Sequence, residues 1–223
     1  MKRFHNTLTS LVTAALVLFM GFAAPAQAIA PAGSKLSITV KVTHGDDTSG
    51  TDEEFVGATV RLLPAAPTLS APSDQTGLPG DNITYSYTIT TNANGLDRYN
   101  LSAVVTPDSN VASAPSVSFE VDTGGIVFVE LGATVASVSQ TAGGDSVVVP
   151  HDGGTDASAV NGIQANDTVV IGDEEYEVSQ VSYDAAINSK VILLKTPLVS
   201  DVQVGDLVLE RQSFTMTVSG TSL

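Results

Sequence analysis

A chain of 223 residues with 24 Asp plus Glu against nine Lys plus Arg carries a formal charge of −15 and holds no cysteine and no tryptophan. Phosphate contacts need clustered Lys and Arg, so an acid excess with few, scattered basic residues excludes nucleic acid as a partner and disfavours anionic membranes. Without cysteine there are no disulfide staples and no thiolate metal sites, and the lack of tryptophan weakens any carbohydrate-stacking platform.

Taken from the N-terminus, Lys2 and Arg3 precede an apolar run from Leu11 to Ala24, broken by Thr13 and Gly21 and ended by Ala26-Gln27-Ala28. A charged start, a short apolar run and a small-x-small site define a secretory signal, predicted over residues 1–28. The run is shorter than the ~20 apolar residues of a spanning helix, and no second stretch of spanning length follows. Removing residues 1–28 takes away Lys2 and Arg3 and no acid, so the formal charge moves from −15 to −17. The expected product is exported to the cell surface or beyond, without a membrane span, and its acidity reads as a solubility feature.

Residues 29–66 read as N-terminal strands around an acidic loop. Leu36, Ile38, Val40 and Val42 alternate with Ser37, Thr39, Lys41 and Thr43, the period of a strand. The stretch from His44 to Glu54 gathers Asp46, Asp47, Asp52, Glu53 and Glu54 among small polar residues. Its spacing does not match the alternating acids of an EF-hand loop, so a solvated hairpin loop is expected, with calcium at Asp46, Asp47, Asp52 and Glu53 as the subordinate reading. No other cofactor is implied. Phe55 to Leu63 reads as the next strand, and Pro64, Pro67 and Pro72 as a linker or edge passage.

The strongest pattern runs from Gly80 to Val105. Ile83, Tyr85, Tyr87 and Ile89 share one face of a period-2 alternation; Asn92, Asn94 and Gly95 offer residues that tolerate positive φ; and Tyr99, Leu101, Ala103 and Val105 resume the alternation. This predicts a β-hairpin. Beyond it SVSFEV and IVFVELG are strands, with Asp122-Thr123-Gly124-Gly125 as a hairpin turn between them.

The text from Pro79 to Leu101, a Pro-Gly-Asp turn, a Tyr-rich strand, an Asn-Gly turn and a returning strand, resembles the Ig-like repeats of prokaryotic surface proteins called the DUF11 type. The resemblance covers roughly residues 68–131. It implies an extracellular β-sandwich serving as spacer, adhesin segment or assembly module, and no enzymatic residues.

From about residue 134 the text changes to a small barrel-like unit, with strands predicted at Ser146 to Val149, Thr168 to Ile171, Glu175 to Tyr183, Lys190 to Leu194 and Leu207 to Glu210. Asn166-Asp167 and Gly205-Asp206 echo Gly80-Asp81, which reads as recurring turn chemistry. Phe214, Met216 and Val218 alternate in a last strand placed back in the first sandwich. The fold class is therefore all-β: an Ig-like β-sandwich (residues 67–133 plus 211–223) with an inserted small β-unit over residues 134–210.

No catalytic set accompanies these strands. His44 and His151 lie in Gly/Asp loops, and His151 with Asp152 and Asp156 is the one local candidate for a metal or acid–base site, without an H-x-x-H or H-E-x-x-H spacing. Glu174 and Glu175 are adjacent in a strand and point to opposite faces, so they are no glycosidase pair. The expected function is non-enzymatic: a secreted structural subunit of an extracellular filament, pilus-like fibre or surface layer. Its copies would associate with one another through strand edges, Leu36, Ile38, Val40 and Val42 forming the assembly strand by β-augmentation. The alternative is a monomeric adhesin-like or carbohydrate-binding surface module that binds through loops such as 46–54 or 151–159.

Overall fold

Alternating β-branched and aromatic residues favour extended backbone, and among the residues that the computed structural model describes every regular element is a strand. The structure describes residues 30–43, 51–70, 72–78, 80–102, 116–119 and 127–219. No helix long and apolar enough to cross a membrane occurs among them. The predicted signal, His44, Asp46, Asp47 and the Asp122–Gly125 turn lie outside the described residues.

Two strands, β1 (Lys35–Thr43) and β2 (Thr51–Thr59), form a sheet of their own. Then follow β3 (Thr68–Leu69), β4 (Asn82–Thr90), β5 (Asp97–Leu101), β6 (Ser116–Phe119), β7 (Val127–Leu131), β8 (Ala133–Val135), β9 (Ser146–Pro150), β10 (Thr168–Ile171), β11 (Glu174–Asp184), β12 (Ser189–Leu194) and β13 (Leu207–Ser219). The largest sheet is an antiparallel ladder in the order β3-β4-β13-β10-β11-β12-β9, with β6 and β8 also on β13; β5 and β7 make a third sheet.

The 13-residue β13 is the spine. Its first half pairs with β8 (Leu209 opposite Ala133) and with β10 (Val208 opposite Ile171). Its second half pairs with β4 (Phe214 opposite Tyr87) and with β6 (Val218 opposite Val117). The alternating residues Phe214, Met216 and Val218 thus run beside β4, and the boundary drawn at residue 210 falls inside one uninterrupted strand.

Two apolar clusters flank this spine. Ile89 and Phe214 meet Tyr99, Val129 and Leu131 from the β5–β7 sheet, with Tyr87 and Leu101 partly buried against them and the Tyr87 ring stacked on Phe214 at 5.3 Å. The other cluster is larger and built of Val147, Val149, Val160, Ile163, Val169, Val178, Ile192 and Val208 with their neighbours. Each such side chain, fully removed from water, is worth roughly 1.5–3 kcal/mol.

These clusters correct four expectations. Of the stretch expected to be a hairpin, Ala103 and Val105 lie outside the described residues, and β4 and β5 do not pair with each other: β4 pairs with β13 and β3, β5 pairs with β7, and the chain between them crosses from one sheet to the other. Alternation specifies a strand and its buried face but not its partner, and burial of Tyr99 against Ile89 and Phe214 selects the crossing. Likewise β6 and β7 sit in different sheets and are not paired with each other as a hairpin. The strand expected at Phe55 to Leu63 is shifted to Thr51–Thr59. No closed barrel forms among the described residues: beyond β8, one main-chain bond reaches β9, from Ser137 N–H to Val148 O at 2.8 Å.

The echoed turns share one geometry. Gly80, Asn166 and Gly205 take φ of 93°, 73° and 93°, and in each case the next residue's carboxylate accepts a backbone N–H three residues back. These bonds are Leu78 to Asp81 (2.8 Å), Gln164 to Asp167 (2.7 Å) and Gln203 to Asp206 (2.7 Å). Glycine and asparagine tolerate the left-handed conformation, and aspartate closes the turn with its side chain.

Gly132 marks the point where β7 leaves the β5 sheet and β8 joins β13. A Cβ there would lie 2.3 Å from Asn161 O and 2.8 Å from Ile163 Cγ1, so only glycine lets the strand change sheets at this crowding.

Candidate functional site

The assembly strand expected at Leu36, Ile38, Val40 and Val42 is β1, and it is not free. It pairs with β2 along its full length, with Leu36 opposite Ala58, Ile38 opposite Val56, Val40 opposite Glu54 and Val42 opposite Asp52. Asp52, Glu53 and Glu54 therefore belong to a strand and not to the acidic loop. Among the described residues no group of three or more His, Cys, Asp or Glu could hold a metal ion.

The hairpin is tied to the body at its root. Gly33 N–H donates to Val60 O (3.0 Å) and Val60 N–H to Ser34 O (2.9 Å), which carries the β1–β2 ladder down to the bend at residues 91–95. There Asn94, 5% exposed, is met by both arms of the hairpin. Its carbonyl accepts from Ala32 N–H (2.6 Å) and its Oδ1 from Leu63 N–H (2.7 Å); its Nδ2 donates to Ala30 O (2.9 Å) and Arg61 O (3.1 Å). Thr91 Oγ1 shares a 2.8 Å hydrogen bond with Tyr99 OH and accepts from Ala93 N–H, and Asn92 Nδ2 donates to Ala66 O (2.8 Å). Gly95 approaches Ala32 so closely that a Cβ would lie 2.6 Å from the alanine methyl.

Sequence reasoning assigned Asn92, Asn94 and Gly95 to a positive-φ turn, yet none of them takes positive φ. Their role is side-chain bonding and close approach. The available signal was the run Thr91-Asn92-Ala93-Asn94, dense in groups that bond backbone.

His151, Asp152 and Asp156 do not converge as a metal or catalytic set. His151 Nδ1 accepts from Gly153 N–H (2.8 Å), and its ring stands edge-on to Tyr183. Asp152 pairs with Lys190 Nζ at 2.9 Å and accepts from the N–H groups of Asn161 and Gly154. Burial pushes the Asp152 carboxyl up, but the bonds from Asn161, Lys190 and Gly154 together outweigh it and hold the group below its ordinary range. Asp156 is engaged by the hydroxyl and N–H of Ser158, which hold its carboxyl low. Lys190 is 1% exposed, and its ammonium also donates to Asp156 O (2.7 Å) and Ala159 O. Three donors meet three acceptors, so this is a satisfied structural clamp on loop 151–161.

Between this loop and the hairpin root lies an open cleft of about 440 Å³, lined by Ser34, Lys35, Ser137, His151, Asn188 and Ser189. A second open cleft, of about 470 Å³, has Leu96, Phe128, Asp167 and Glu210 among its walls. Glu210, 8% exposed, accepts from Gly132 N–H at 2.6 Å while its own N–H donates to Gly132 O at 2.9 Å. Burial pushes the Glu210 carboxyl up to about 8, helped by the nearby negative charge of Asp167 and opposed by the Gly132 bond. Burial likewise raises Asp167. The sequence carried no signal for this buried acid, which sits on an alternation of ordinary strand residues.

No protein family, no curated protein and no solved structure matches this chain.

Proposed function

We propose that the protein is an exported structural subunit whose copies associate through the edges of the N-terminal hairpin. One observation carries the reading: β1 and β2, nine residues each, pair only with each other among the described residues. A lone two-stranded hairpin is marginal in water, and each outer edge offers a row of backbone donors and acceptors to another strand. Strands added from neighbouring copies complete the sheet. The DUF11-type resemblance and the predicted signal at residues 1–28 support a cell-surface role, and among the described residues His151, Asp152 and Asp156 are each engaged in local structural bonds. On the same reading, the sheets around Ile89 and Phe214 are an Ig-like sandwich, and residues 134–210 are a barrel-like insertion whose strands share β13.

The test is electron microscopy of the exported chain, residues 29–223, beside a variant lacking residues 29–43. Filaments or sheets from the full chain and none from the shortened one are expected. A full chain that stays monomeric at high concentration, with and without calcium, overturns the reading. That outcome favours the second reading, a monomeric surface-binding module, for which the polar cleft beside His151 is the specific observation.

A further inference from the structure

The attachment of the hairpin to its own chain has the chemistry of a plug in a socket. The plug is residues 30–63. Both of its arms present backbone groups to a single side chain: Ala30 O and Arg61 O accept from Asn94 Nδ2, and Leu63 N–H donates to Asn94 Oδ1. Ala32 N–H adds a bond to Asn94 O, and Ala32 fills the space that Gly95 leaves open. Because one amide reads both arms together, the socket accepts the assembled hairpin and not a separate strand. Nothing in these contacts depends on which copy supplies the hairpin.

The connection between plug and body suits exchange. Residues 64–81 include Pro64, Pro67 and Pro72. Among the described residues, the segment touches the body through short-range anchors: the two-residue β3, Asn92 to Ala66 O, Ser70 with Thr88, and Gln75 to Thr84 O. Proline pre-extends a chain at ~3 Å per residue, so the segment, once released, reaches roughly 50 Å. A plug passed from each copy to the next makes a head-to-tail contact, which continues as an open polymer unless the rotation closes.

We infer that the N-terminal hairpin is exchanged between copies, residues 30–63 of one subunit seating on the Asn94–Gly95 socket of the next. This rests on the assembly reading above and specifies its partner as a second copy of the chain and its contact as the hairpin root. The absence of native cysteine makes a clean test. In the double variant Ala32→Cys, Gly95→Cys, the new side chains start from Cβ positions 2.6 Å apart, and the main chain gives about 1 Å to reach the ~3.8 Å of a disulfide.

The reduced variant is assembled, oxidised and run on a non-reducing gel. Exchange predicts a covalent ladder of multimers, with most of the protein above the monomer band. Filaments visible by microscopy that yield only internally bridged monomer overturn the exchange and leave edge association standing. Monomer under every condition, in wild type as well, overturns both.

A second pair of variants guards against misfolding of the first. Asn94→Ala breaks the socket, and Ala32→Pro removes the donor of the plug at a turn position that suits proline. Neither alone should polymerise, but an equimolar mixture should form heterodimers, the intact plug of one filling the intact socket of the other. A mixture no more associated than its components refutes exchange.

Discussion

Glu210→Gln tests the electrostatics of the strand-switching point. In the folded chain the Glu210 carboxyl is pushed up to about 8 from an ordinary value of 4.5. The unfolded chain therefore loses its proton about 3.5 units earlier. The folded state binds more protons between those limits, so stability is complete below about pH 4.5, declines as pH rises, and levels off above about pH 8. At ~1.4 kcal/mol per unit, the ceiling of this loss is on the order of 5 kcal/mol. Asp167, also raised, acts in the same direction. Asp152 acts oppositely, its contribution being lost as pH falls through its lowered value, which leaves pH 5–8 as the window dominated by Glu210. Glutamine keeps an acceptor for Gly132 N–H and carries no charge. Urea unfolding followed by circular dichroism, wild type against variant at half-unit steps, should show a slope in the wild type that the variant lacks, with the variant the more stable at pH 8. Parallel profiles across pH 5–8 would mean that Glu210 ionises freely and that its burial is not what this account requires.

Lys190→Met should cost about 3 kcal/mol, because it strips the partner from a partly buried Asp152 and leaves two carbonyls unbonded; a loss near zero in denaturant titration would reject the clamp. Gly132→Ala should cost about 1–3 kcal/mol through the clash with Asn161 O and Ile163, and an unchanged melting temperature would show that the strand can change sheets without glycine. Ile89→Ala should cost about 2–5 kcal/mol, and Ile83→Ala clearly less, since Ile89 is in the core and Ile83 is half-buried at the outer end of β4. Equal losses at the two sites would mean that the core extends along the whole strand.

Alternation was enough to read most of the strands. Ile83, Tyr85, Tyr87 and Ile89 are the more buried set of β4, the Thr168–Ile171 strand has the bounds the residues suggested, and the last alternating stretch is a strand that runs beside β4. The Asp-containing turns were legible because their chemistry is local: a residue at positive φ and a carboxylate three residues from the N–H that it accepts. Pairing was not legible. Whether β4 turns back on itself or crosses to another sheet depends on where Tyr99, Val129 and Leu131 find apolar partners, a contact between distant parts of the chain that period-2 spacing does not encode. The Asn94 socket and the buried Glu210 were missed for a related reason. Each acts through a residue type that, taken alone, reads as turn former or solvated acid, and each acquires its role only from groups about 30 to 80 positions away.

The placement of those two residues bears on how the chain could work. Thr91 N–H donates to Glu210 O and Gly132 O accepts from Glu210 N–H, so the bend that holds the hairpin and the glycine at which β7 becomes β8 both hang on one residue of β13. The same strand carries the apolar cluster around Phe214 on one side of that point and the cluster around Val208 on the other. On the assembly reading proposed above, a load entering through the hairpin root would pass from Asn94 along the bend to Thr91 and into the middle of β13, which is paired on both flanks. Copies joined as proposed would need a continuous path of this kind. The largest sheet supplies it without disulfides, by running one strand through both apolar clusters and setting the socket beside its midpoint.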